Sequence, residues 1–351
     1  FEKNYKTIIH SNYMKILNDI FNFYRYYKTK KLFNRVFFFE NRFIEKHLSP
    51  YLFKNKHFTK TLIVTLYQID DINLKNFKII KFNYLFLLEI FFRLVEQKYI
   101  YSSTPDLGFS SFQKSIKNNV KYIYIQHSPT SLTMIYNECA FIQFNTILTV
   151  NRFQKNEISE INSLFNVNIK SWKSKYLFLQ PLIKKEIEES KIKKVLLAPT
   201  WATDFYKNNY HIKIRDALKH LNYEIVLRPH YMSFKKNDIK IDEIKNEFIL
   251  DQGDVNFNDY DILITDWSGI FLEFSNLKKT RCILINSSKK IRNKNYLKYK
   301  NIPLEIHARD ILGVQIDPEN IQSIDRVISE IILNKHEYRF KIDKFFNENY
   351  F

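Results

Sequence analysis

Four places in this chain set polar, phosphate-competent side chains directly after short apolar runs. Tyr122 to Ile125 leads into Gln126-His127-Ser128, and Lys194 to Ala198 leads into Pro199-Thr200-Trp201. Glu224 to Leu227 leads into Arg228-Pro229-His230. Ile262 to Thr265 leads into Asp266-Trp267-Ser268-Gly269, after which Ile270 to Leu277 resumes at helical spacing. These residue types suit a phosphorylated ligand. The Arg228 fork can grip phosphate oxygens in bidentate fashion. Ser268 offers a hydroxyl donor, and Gly269 lets a ligand approach the backbone closely. A helix starting there adds free N–H groups and the positive end of its dipole. His230 can donate to a phosphate or a leaving group, and His127 can serve as general base toward a hydroxyl. Glu273, one turn into the helix, can accept from ribose or base hydroxyls. Blander readings stand beside each of these. Asp266 and Ser268 could simply cap the helix, and Arg228 could sit in a surface ion pair. Glu273 could be a charge stabilised by the helix dipole, and His127 a satisfied structural histidine.

The runs that carry these residues read as strands of an α/β protein. Residues 61–67, 98–103, 120–126 and 146–151 form a first set of strands, with helices over 78–97 (a strand possible at its start) and 152–164. Residues 168–190 read as a connection, with Pro181 inside it and a charged stretch over 184–194. A second set of strands falls at 194–198, 224–227, 248–250, 262–265 and 281–285, the last of them. Helices are expected over 210–221, 238–247, 270–277 and 321–333. The second half therefore reads as a doubly wound sheet, where ligands bind beyond the carboxyl ends of the strands. Three of the four polar strand ends belong to it and share one rim. Residues 1–60 read as helical and rich in aromatics. Phe21, Phe23, Tyr24 and Phe37-Phe38-Phe39 suit either a core face or a membrane interface, and an internal helical face is the favoured expectation.

Composition narrows the function classes. The length allows two domains, and 45% hydrophobic with 26% charged residues indicates a globular chain. The net charge of +18 points to an anionic partner: a membrane surface, a polyanionic substrate or nucleic acid. The basic residues are scattered, so nucleic acid fits worst. With four glycines in the chain, all far apart, there is no Gly-x-Gly-x-x-Gly and no Walker A loop. No His-Glu-x-x-His, zinc pattern or Gly-x-Ser-x-Gly elbow occurs, and no acidic metal cage is evident. Cys139 and Cys282 read as buried thiols of a reducing compartment. No secretory signal is visible, and the start at Phe leaves room for an upstream segment. No apolar run approaches the roughly 20 residues that span a bilayer; 84–95 reads as a buried amphipathic helix.

The four strand-end motifs, in this order, resemble the CDP-glycerol glycerophosphotransferase family, the polymerases and primases of teichoic acid and capsule. The resemblance spans roughly residues 98 to 335. It implies an α/β, GT-B-like fold: two Rossmann-like domains facing a cleft, here with a helical N-terminal segment at 1–60. An acceptor domain would cover 61–180, a nucleotide-donor domain 181–335, and a tail 336–351. The implied reaction moves a polyol phosphate from a CDP-activated donor to a hydroxyl of a polysaccharide or lipid-linked acceptor, with release of CMP. Carried over by position, His127 is the acceptor-side base, with Ser128 and Ser131 beside it. Arg228 and His230 contact the donor diphosphate, His230 in a catalytic role. Asp266, Ser268 and Gly269 form the nucleotide-phosphate turn, with Thr200 alongside and Glu273 one helical turn on. No particular cofactor is indicated beyond the CDP-activated donor as substrate, and Mg²⁺ is possible. The protein would be cytoplasmic and peripheral on the inner face of a bacterial plasma membrane. The chain departs from the family pattern at Gln126-His127-Ser128 (commonly Trp-His-Gly), Tyr231 (commonly Pro) and Trp267-Ser268-Gly269 (commonly Tyr-Ser-Ser). These departures bear on the donor, and a GT-B glycosyltransferase using a nucleotide sugar is the alternative.

Overall fold

The computed structural model describes residues 2–54, 58–177, 194–221, 223–236, 239–251, 253 and 255–351, with side chains from residue 12 onward except at 241. The chain forms two compact units. Unit one comprises residues 1–127, 136–150 and 155–178, and unit two comprises 128–135, 151–154 and 179–351.

Unit one opens with α1 (Glu2–Thr29), then β1 (Arg35–Phe39), α2 (Arg42–Lys54), β2 (Thr61–Thr65), β3 (Lys78–Lys81) and α3 (Leu85–Leu94). It continues with β4 (Tyr99–Ser102), β5 (Lys121–Ile125), β6 (Thr146–Thr149), the helix α4 (Arg152–Phe165) and β7 (Lys170–Lys173). Among the described residues its sheet has the order β3-β2-β1-β4-β5-β6-β7, and every pairing is parallel. A parallel sheet covered on both faces needs continuous apolar strands, and Val36 to Phe39 is one. The expectation of a helical 1–60 holds for α1 and α2 and is corrected at β1. Helix α1 ends at Thr29, and Phe37-Phe38-Phe39 is a central strand, buried because aromatic side chains suit a covered pleated surface. Strand β7 was expected to be connection. Its Lys-Ser-Trp-Lys sequence lies on the sheet edge, half-exposed to exposed, so no apolar run marks it.

Unit two contains β8 (Lys194–Leu197), α5 (Tyr210–Leu218), β9 (Glu224–Leu227), α6 (Tyr231–Lys235), α7 (Ile241–Ile244), β10 (Ile249–Leu250) and β11 (Ile262–Thr265). Then come α8 (Ile270–Lys278), β12 (Cys282–Ile285), α9 (Leu304–Leu312), β13 (Gly313–Ile316), α10 (Ile324–Leu333) and α11 (Lys335–Asn349). Its sheet order is β10-β9-β8-β11-β12-β13, again parallel throughout. This is the doubly wound order, with the reversal between β8 and β11. The sheet does not end at 281–285, because β13 follows α9 directly. The expected helix over 238–247 is a single turn at 241–244, and position 238 lies outside the described residues. The expected tail is α11, whose Tyr338, Ile342, Phe345 and Phe346 recur at helical spacing and join the core. Pro181 and the charged stretch up to 193 lie outside the described residues. Cys282 is buried, whereas Cys139 is only half-buried.

Candidate functional site

In unit two, the reversal point gathers the ends of β8 and β11. Asp266, the first residue after β11, is fully buried. Its carboxylate accepts from the Thr200 N–H at 2.7 Å, from Thr203 Oγ1 at 2.9 Å and from Ser287 Oγ at 3.2 Å. It therefore ties β8, β11 and β12 together at one rim. Burial pushes its pKa up, opposed by those three hydrogen bonds. Asp266 and Thr200 do not reach a surface that a ligand touches. They were expected to bind phosphate, and instead they build the turn after β11 from within. Burying a carboxylate requires such compensation, which is why its acceptor sites are filled.

The turn itself is open. Gly269 is the N-cap of α8 and provides no side-chain bond, and Ser268 Oγ accepts from the Ile270 N–H at a long 3.5 Å. The capping alternative is thus poorly met, since Asp266 faces into the fold. Gly269 has an ordinary backbone conformation, and what demands glycine is space. A Cβ there would lie 2.5 Å from Thr130 Cγ2 and 3.0 Å from Ser128 Oγ. Segment 128–135 is fastened in this position. Asn151 Nδ2 donates to the Pro129 carbonyl at 3.0 Å and Gln154 Nε2 to the Thr130 carbonyl at 2.8 Å. The Ser131 N–H donates to Glu305 Oε1 at 3.0 Å. Ser128 therefore lies against the Ser268-Gly269 turn, and Ser131 is fully buried, which removes it from contact with an acceptor.

Sequence reasoning missed a ring of charge around this turn. Arg309, 2% exposed, donates from Nη1 to the Asp266 carbonyl at 2.7 Å. Its guanidinium lies 4.1 Å from the Trp267 ring centroid. Burial lowers its pKa to about 10, with Asp266 pulling the other way. Lys290 Nζ donates to Thr200 Oγ1 at 3.1 Å and lies 5.2 Å from the Trp201 ring centroid. Burial brings its pKa down to about 8, opposed by Asp266 and Glu305. Both cations come from segments where no element was expected to carry function, so only the fold could reveal them. A cavity of about 380 Å³ opens beside Trp267, lined by Asn286, Ser287, Lys289 and Arg309 among others.

The β9 end divides. His230 caps α6, with Nδ1 accepting from the Met232 N–H at 3.1 Å, which places the ring proton on Nε2 as a donor. Its ring lies 6.2 Å from that of Trp201. Arg228 turns the other way. Nη1 donates to the Gly253 carbonyl at 2.8 Å and pairs with Asp251 at 3.0 Å, on the β10 side of β9 and away from β11. The ion-pair reading holds for Arg228, because the nearest carboxylate follows the neighbouring strand. Glu273 is half-buried on the first turn of α8.

His127 belongs to unit one, beyond β5, and is half-exposed. Its Nδ1 meets Tyr124 Oη at 3.1 Å, its Nε2 meets Tyr136 Oη at 3.3 Å, and its carbonyl accepts from Tyr176 Oη at 3.1 Å. Phe43 and His47 stand 5.9 and 6.4 Å from its ring. Burial lowers the His47 pKa to about 3, so that neighbour stays neutral. Among the described residues, no three His, Cys, Asp or Glu side chains gather as a metal site.

The sequence model of the CDP-glycerol:poly(glycerophosphate) glycerophosphotransferase family matches residues 182–301. The matched stretch falls within unit two. By this match the chain is a transferase of the polyol-phosphate or glycosyl class. No curated protein matches the sequence. Among solved structures, the chain is similar to a Methanocaldococcus jannaschii UDP-GlcNAc 2-epimerase in complex with UDP-GlcNAc and UDP. The identity is 12% and the TM-score 0.54, over 85% of this chain and 92% of that one. It is also similar to S. aureus MnaA with UDP, at 10% identity and a TM-score of 0.53, over 88% and 90% of the two chains. At these identities the likeness is one of fold, and the fold is GT-B-like.

Proposed function

We propose that the protein transfers a polyol phosphate, glycerol phosphate or a close relative, from a CDP-activated donor to a hydroxyl of a cell-surface polysaccharide or lipid-linked acceptor. The reading is supported above all by the uncapped N-terminus of α8 at Ser268-Gly269, within the stretch that matches the glycerophosphotransferase family. In this reading the Ser268 hydroxyl and the N–H groups after Gly269 bind the diphosphate, and His230 Nε2–H and Lys290 add charge-assisted donors. Glu273 accepts from the ribose hydroxyls. The acceptor oxygen attacks the donor's β-phosphorus and its proton passes to His127 Nε2. The bond from the β-phosphorus to the bridging oxygen breaks, and CMP leaves with that electron pair. With Nδ1–H donating to Tyr124, Nε2 keeps the lone pair a base needs, and the longer Tyr136 contact is the one an acceptor hydroxyl displaces. Asp266, Thr200, Glu305 and Arg309 hold the turn rigid so that its donors need no reorganisation as charge develops. A Mg²⁺ accompanying the donor would add positive charge to this neutralisation. The enzyme would act at the inner face of a bacterial plasma membrane in capsule or teichoic-acid synthesis.

A second reading, sugar transfer from a nucleotide sugar, draws on the likeness to structures that hold UDP. A donor panel separates the two. CMP release from CDP-glycerol or CDP-ribitol, with thermal stabilisation by CDP, is the expected outcome. UDP release from UDP-sugars, with no response to any CDP donor, would replace the first reading with the second.

A further inference from the structure

Helix α1 is built the wrong way round for a helix on a water-facing surface. Over residues 12–29 the inward face is anchored by polar contacts, with Phe23 packed edge-on against Tyr26 and Phe91 among them. Asp19 is fully buried and accepts from the Asn83 and Tyr84 N–H groups at the start of α3, at 2.8 and 3.0 Å. Asn22 Nδ2 donates to the Lys81 carbonyl at 2.8 Å, and Tyr26 Oη donates to Gln97 Oε1 at 2.8 Å. These bonds fix which face looks outward. That face carries Tyr13, Leu17, Ile20, Tyr24 and Tyr27 at the three- and four-residue steps of one stripe, with Met14 and Phe21 beside it. All seven are between 41% and 63% exposed. The neighbouring α3 also leaves Leu85, Phe86, Ile90 and Leu94 exposed. A continuous apolar stripe of this size marks an interaction surface, in contrast to the single exposed leucines found on any protein.

The charges along the stripe say what covers it. Within 12–29 the acidic residue is Asp19, and it points inward, so the outward face carries no carboxylate. Cations sit over its aromatic rings instead. Arg25 lies 5.7 Å from the Phe21 ring centroid, Lys28 4.6 Å from Tyr24 and Lys30 4.4 Å from Tyr27. Aromatic rings interleaved with lysine and arginine along one amphipathic face are the pattern of a helix lying in a bilayer interface. There the rings enter at headgroup depth and the cations meet lipid phosphates. We infer that the outer face of α1 docks the protein on an anionic lipid surface, with Leu17, Ile20, Phe21 and Tyr24 entering the interface. A second protein would have to offer an apolar groove rimmed by carboxylates, whereas an anionic bilayer offers both features everywhere. The net charge of +18 acts in the same direction at longer range.

The test uses the full chain and no substrate, so it stands or falls apart from the transferase reading. Co-sedimentation is measured with vesicles of phosphatidylglycerol and phosphatidylethanolamine and with vesicles of phosphatidylcholine, at low and high salt. Binding to the anionic vesicles that weakens with salt is the expected result. Arg25→Gln/Lys28→Gln should weaken partitioning by on the order of thirtyfold. Leu17→Glu/Phe21→Glu/Tyr24→Glu should abolish it, while Leu297→Glu/Leu333→Glu, at exposed leucines of unit two, should leave it unchanged. Phe21→Trp, which keeps the stripe apolar and guards against a misfolded triple variant, should be quenched by brominated lipid. Retained binding in the Glu triple variant, absence of quenching at position 21, or a dimer that this variant dissolves without any vesicle binding would each overturn the proposal.

Discussion

The two sheets end in very different neighbourhoods. Around the β11 turn of unit two, charge is buried and balanced. Asp266, Glu305, Arg309 and Lys290 lock a polar ring beneath an open helix terminus. Around the β5 end of unit one the surroundings are aromatic and neutral. Tyr124, Tyr136, Tyr176, Phe43 and His47 enclose the His127 imidazole. Both sheets also bridge their own reversal point with a carboxylate, Asp266 to Thr200 in one and Glu40 to Thr104 at 2.8 Å in the other. The shared device is structural, and the difference is chemical. A fixed field of dipoles and cations suits a diphosphate, whereas a neutral aromatic cage with two tyrosine hydroxyls holds an imidazole in one orientation.

That contrast can be broken most directly at Asp266. Asp266→Ala strands three donors, the Thr200 N–H and the Thr203 and Ser287 hydroxyls, and should cost about 3–5 kcal/mol of unit-two stability in urea unfolding. A loss below about 1 kcal/mol would mean the ring is not the keystone described. At His127 the effect should fall on rate. His127→Ala should lower turnover by about 10²–10⁴-fold while CDP affinity, read by calorimetry, is kept. Equal losses in both quantities would erase the division of labour between the units. Gly269→Ala should push segment 128–131 off the turn and cost about 1–3 kcal/mol, read as a lower melting temperature with weaker CDP binding.

A titration sharpens the comparison further. Burial lowers the pKa of His47 in unit one to about 3 and that of His211 in unit two to about 4, from 6.5. Both stay neutral in the folded chain while the unfolded chain takes up protons below 6.5. Stability should therefore be fully present above pH 6.5 and fall as the pH drops, by about 1.4 kcal/mol per pH unit for each histidine. The loss should stop near pH 4 for His211 and continue to about 3 for His47. His47→Gln should remove only the unit-one share of the slope. The smallest effect is expected at Arg228. Arg228→Ala should shift stability by about 1 kcal/mol or less and leave CDP affinity nearly unchanged, because its guanidinium is committed to Asp251. A tenfold loss of CDP affinity would return Arg228 to the phosphate.

Local sequence determined the strands and the turn. Apolar runs such as 262–264 and Cys282–Ile285 declare themselves because a strand covered on both faces is built of near-continuous apolar residues. The polar residues that end those runs mark the rim, since a doubly wound sheet leaves its strand ends for ligands. The edge strand Lys170–Lys173 and the α9–β13 pair stayed hidden because half-exposed or mixed sequences carry no such signature. What the sequence could not rank was which polar groups face out. Thr200, Ser131 and Asp266 look like ligand contacts and are buried, Arg228 is drawn aside by a carboxylate on the next strand, and Lys290 and Arg309 arrive from distant segments. The orientation of α1 is of the same kind. Its helical spacing is local, but the side that looks outward was set by Asp19 binding the start of α3. Residue type and spacing are properties of the chain, whereas burial and pairing depend on which neighbours the completed fold supplies.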